Sequence, residues 1–135
     1  MARAFSAKIT GDKELADRLA KINDKMPKAI DNALHEEAMG LEAESAPLTP
    51  VADIAGGTLR RSSQIKRIPT GYSVGYFTKY AIYVHEMGFG PATAGKTINW
   101  STPGTGAKFL QRPFEKRLKG MTDRLRRVIL KRLGL

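Results

Sequence analysis

Apolar residues recur at helical spacing at both ends of this chain and at alternating spacing only between them, an order that restricts the fold to helices packed on a small sheet. Leu15, Leu19, Ile22 and Met26 fall at i, i+4, i+7 and i+11, one face of a helix that Asp12 can cap. Pro27 disfavours helical geometry at Met26 but is tolerated in a first turn. The spacing therefore predicts a break or kink there and a second helical run over 27–45, with Ile30, Ala33, Leu34, Ala38 and Leu41 on its apolar face. Toward the other end Phe114, Leu118, Met121, Leu125, Val128 and Leu133 trace one stripe. It predicts an amphipathic C-terminal helix from about Lys108, with Pro113 in its first turn and Arg112, Lys116, Lys119, Arg126, Arg127 and Lys131 mainly off the stripe.

The strand signals are shorter. Phe5, Ala7 and Ile9 alternate with polar neighbours and read as a strand that Gly11 and Asp12 stop. Pro47, Pro50, Gly56 and Gly57 mark 46–57 as a surface loop. Three further strands are expected at 59–68, 72–76 and 80–85, joined by turns at Pro69-Thr70-Gly71 and Thr78-Lys79. Connections that short join only antiparallel neighbours. The segment 87–107 is rich in glycine and proline and too long for an idle connection. The expected fold is α+β in one domain over 1–135: an antiparallel meander of three to four strands, packed by a long kinked N-terminal helix and the amphipathic C-terminal helix.

Charge divides the chain. Residues 1–57 hold seven Lys/Arg and ten Asp/Glu, net −3, and residues 58–135 hold sixteen and three, net +13. Such a molecule either meets phosphate or another acidic surface with its basic part, or packs head to tail, acidic part against basic. Cysteine is absent, which excludes disulfides, thiolate zinc sites and cysteine nucleophiles. No apolar run is long enough to span a membrane and the first residues lack a signal-peptide core, so no membrane contact is expected and the chain is expected to be made and kept in the cytosol.

No constellation supports catalysis. Gly90-Pro91-Ala92-Thr93-Ala94-Gly95-Lys96-Thr97 matches the phosphate-binding pattern GxxxxGK[ST], but Ile98-Asn99-Trp100-Ser101-Thr102-Pro103 cannot form the helix that the pattern must open. His35-Glu36-Glu37 and His85-Glu86 have no metal spacing, and Ser62 and Ser63 lack a nucleophile elbow. Catalytic, cofactor and metal residues are all expected to be absent. Arg60, Arg61, Lys66 and Arg67, with the C-terminal helix, leave a basic nucleic-acid-binding accessory protein as the alternative.

Three words stand in order along the chain: Ala46-Pro47 followed by Gly57-Thr58-Leu59-Arg60-Arg61-Ser62, then Tyr80-Ala81-Ile82-Tyr83-Val84-His85-Glu86-Met87-Gly88, then Lys108-Phe109-Leu110-Gln111-Arg112-Pro113-Phe114. In this it resembles the HK97 gp10-like family of phage tail components, also called neck or tail completion proteins. The loop after Pro50-Val51 is longer than in the family pattern, and His85 stands where the family has an acid. The resemblance implies helices on an antiparallel sheet and a structural role in the virion, assembled in the host cytoplasm, joining head to tail. The implied partners are further copies in a closed ring, of about six or twelve, and other phage neck and tail proteins, with non-specific contact with DNA open to the basic half. The expected interface comprises Glu36, Glu37, Glu42 and Glu44 against Arg60, Arg61 or the C-terminal basic residues of an adjacent copy, with Tyr80, Tyr83, Lys108, Phe109, Leu110 and Arg112 from the shared words.

Overall fold

The computed structural model describes residues 5–51, 57–87 and 104–135. Its elements in chain order are α1 (Asp12–Ser45), a 3-10 turn (Ala46–Leu48), α2 (Thr58–Arg61), β1 (Ser63–Ile68), β2 (Gly71–Tyr76), α3 (Ala81–His85), α4 (Gln111–Leu118) and α5 (Met121–Leu133). The fold is helix-rich α+β with one two-stranded antiparallel sheet among the described residues, in place of the expected meander. The Gly90–Thr97 motif, and 88–103 of the long loop with it, lie outside the described residues, as do 52–56.

α1 runs for 34 residues, about 50 Å, and does not break at Pro27. Proline there forfeits the one bond its N–H would make to the Asn23 carbonyl. The turns that follow are held by packing, since Ala29, Ala33, Ala38 and Ser45 are buried against the rest of the chain. Those small side chains let α5 and β2, the principal neighbours of α1, approach closely. Gly11, not Asp12, is the N-cap, with φ 121°, and Asp12 and Glu14 occupy the first turn, where carboxylates suit the helix dipole.

β1 and β2 pair from Ser63↔Tyr76 to Ile68↔Gly71, around the expected turn at Pro69-Thr70. Three strand expectations fail. Residues 5–9 form no ladder, because α1 carries them away from the sheet. Residues 58–61 wind into α2, which places Leu59 in the core. Residues 81–85 form α3: in the apolar run 80–84 both periods fit, and the helical one buries Ala81 and packs Val84 against the core. The C-terminal stripe is also two helices rather than one. Lys119 is extended and Gly120 is left-handed at φ 74°, so α4 and α5 meet at an angle that the stripe's spacing conceals.

The core centres on Phe109, 1% exposed, with Leu59 and Ala81, and with Leu48, Tyr76, Val84 and Leu110 packed around them. Edge-to-face contacts from Tyr76 (5.0 Å) and His85 (5.1 Å) surround the Phe109 ring. Above it the Tyr76 hydroxyl lies 2.6 Å from Ser45 Oγ and 3.0 Å from Thr49 Oγ1, and both of these residues are fully buried. This polar knot ties the end of α1 to the end of β2 and satisfies groups that burial alone would penalise.

Candidate interaction surface

The acidic face of α1 and the basic residues of the last two helices come together within one chain. Glu37 receives Arg124 Nη2 at 2.6 Å and Arg117 Nη2 at 3.0 Å, Glu44 receives Arg117 Nη1 at 2.6 Å, and Glu36 lies 3.3 Å from Arg132. Gly40 makes this possible, because a Cβ there would stand 2.5 Å from the Arg117 guanidinium. Arg124 also donates to the Arg117 carbonyl and, at 3.1 Å, to that of Lys119, closing the end of α4. These bonds, led by that from Arg124, hold the Glu37 carboxyl below the usual carboxylate range against the opposing effect of its burial; the same contact raises Arg124.

The contacts expected between copies are thus made inside one molecule by Glu36, Glu37 and Glu44. Arg60 does not face them: its Nη2 donates to the Thr49 carbonyl at 3.0 Å, beside the polar knot. Arg61, at the end of α2, lies near Gly57, the N-cap of that helix, and Glu42 accepts the Ser45 hydroxyl at its backbone carbonyl. Of the remaining expected residues, Phe109 is core and Leu110 half-buried. Lys108, in the left-handed region at φ 57°, pairs with Glu86 and donates its N–H to the His85 carbonyl at 2.8 Å. Lys108, then His85, holds the Glu86 carboxyl low. Arg112 is exposed on α4, and exposed Tyr80, Ile82 and Tyr83 leave α3 an apolar outer side.

Two further features among the described residues bear on binding. A cavity of about 420 Å³ between α1, β2 and α4 is lined by Leu34, Leu41, Val74, Leu110, Phe114 and Met121, with Glu37, His85 and Arg117 supplying polar atoms. The first turns of α1 project beyond the body: among the described residues none before Ala29 is buried, Ile22 and Met26 are partly covered, and Leu15 and Leu19 are 59% and 56% exposed. Ahead of it Phe5 and Ile9 are each 98% exposed. Sequence periodicity finds this stripe but not its exposure, because spacing identifies a face and not what covers it.

Among the described residues no group of three or more His, Cys, Asp or Glu side chains is placed to hold a metal ion, and no helix is long and apolar enough to cross a membrane. No protein-family model, curated protein or solved structure matches the chain.

Proposed function

We propose that the chain is a structural subunit of a tailed phage or prophage particle, one copy in the neck or tail-completion ring that joins head to tail, and that it performs no reaction. The ordered words from Ala46-Pro47 to Lys108-Phe109-Leu110 support the family. The observation that carries the assembly reading is the projecting first turns of α1. A monomer gains nothing from holding Leu15 and Leu19 in water on turns of α1 where every residue from 12 to 21 is exposed, whereas a subunit gains a contact surface.

Light scattering across a concentration series tests this reading. A closed oligomer is expected, and its mass changes little with salt, because Glu36, Glu37 and Glu44 already hold partners within their own chain. A monomer at every concentration contradicts it. The alternative, a nucleic-acid-binding accessory protein, rests on the net charge of +10. Arg117, Arg124 and Arg132 face glutamates, which weakens it, and a gel shift that falls steeply with salt is the result that favours it.

A further inference from the structure

Among the described residues no strand pairs with either edge of the two-stranded sheet. The bond from Phe77 N–H to the Ser62 carbonyl (3.2 Å) fixes the phase of the ladder, so 62, 64, 66 and 68 exchange hydrogen bonds with 77, 75, 73 and 71. The backbone groups of Ser63, Ile65 and Arg67 on one side, and of Tyr72, Val74 and Tyr76 on the other, therefore point away from the ladder. Among the described residues no backbone hydrogen bond outside the ladder ends on any of them. Such a row is a template for another strand, and two strands alone are marginal in water.

The segment 5–9 has the pattern such an edge accepts. Phe5, Ala7 and Ile9 alternate with Ser6 and Lys8, and all five residues are exposed. Reach excludes the chain's own sheet. α1 meets the sheet at Asp31, which binds Arg67 and Tyr72, and Gly11 lies roughly 30 Å of helix before that point. From Phe5 to Gly11 the backbone spans at most about 20 Å.

We propose that segment 5–9 of one copy adds as a third strand to the open edge of the sheet in a second copy. The inference rests on the reading of the chain as a self-assembling subunit and names the contact. Main-chain bonds supply the pairing, and Phe5 and Ile9 supply the apolar burial. β1 is the more open acceptor, since Gln64, Lys66, Arg67 and Ile68 are exposed. Donor and acceptor are different surfaces of each copy, so the contact is head to tail and repeats around a ring where its rotation closes.

The absence of native cysteine makes the test direct. A Lys8→Cys variant is mixed with a Gln64→Cys or a Ser73→Cys variant, all exposed positions, and mildly oxidised. A disulfide-linked dimer is expected from a mixture and from no variant alone. A Phe5→Asp/Ile9→Asp variant, altered only at fully exposed positions, is expected to keep its circular dichroism and melting temperature and to lose the oligomer. If the chain is an oligomer that yields no cross-link with either acceptor and survives the double substitution, strand donation is wrong and self-assembly stands. If the unmodified chain is monomeric throughout, both are wrong.

Discussion

Glu37 on α1 and Arg124 on α5, 87 positions apart in sequence, meet through two hydrogen bonds of 2.6 and 3.1 Å that lock the long helix to the end of the chain. Arg117 shares the same carboxylate, so the seam holds three helices with one acid. Glu37→Ala leaves two guanidinium groups short of a partner in a mostly buried place and is expected to cost about 2 kcal/mol. Glu36→Ala, at an exposed pair with Arg132, is expected to cost less than about 1 kcal/mol. Urea denaturation of both variants checks the contrast.

The seam also sets an acid limit. Glu37 and Glu86 are both held below the usual carboxylate range, so the unfolded chain binds their protons first as pH falls. Their contribution is complete above that range and is lost as pH drops through their folded values. Urea midpoints are expected to fall between pH 5 and about 3, and Glu37→Gln to flatten that fall. A midpoint that holds steady to pH 3 contradicts this assignment.

Gly40 links helix propensity to the seam. Glycine to alanine in mid-helix ordinarily stabilises by about 1 kcal/mol. Here the added Cβ meets a guanidinium held by Glu37 and Glu44, so Gly40→Ala is expected to gain nothing. In an Arg117→Ala background the ordinary gain returns. A double-mutant cycle on melting temperature measures the difference.

How far the sequence foretold this depends on the length scale of each signal. The stripes Ala33-Leu34-Ala38-Leu41 and Leu125-Val128-Leu133 are long enough for the helical period to show, and Pro69-Thr70 marks its turn by chemistry alone. Residues 80–85 failed because five consecutive apolar residues fit both periods. The run through Pro27 failed because tertiary packing outweighed one lost bond. The break at Lys119 carried a visible mark in Gly120, which an unbroken stripe on either side obscured. The acidic and basic partners were legible, but spacing does not say whether they meet within a chain or between chains.

Core and polar knot should respond differently. Phe109→Ala empties the centre of the core and is expected to cost about 3–5 kcal/mol, against less than about 1 for the exposed Leu15→Ala. Tyr76→Phe removes the hydroxyl between Ser45 and Thr49 and is expected to cost about 1–3 kcal/mol with the ring packing intact. Thermal melts of the three variants rank them.

Disrupting the reading frame in the phage or prophage that encodes it, and viewing the lysate by electron microscopy, bears most directly on a role at the head–tail junction. The account predicts DNA-filled heads and finished tails lying apart, rejoined when the intact protein is supplied but not when a Leu15→Asp/Leu19→Asp variant is. Complete, infectious particles made without the protein would contradict it.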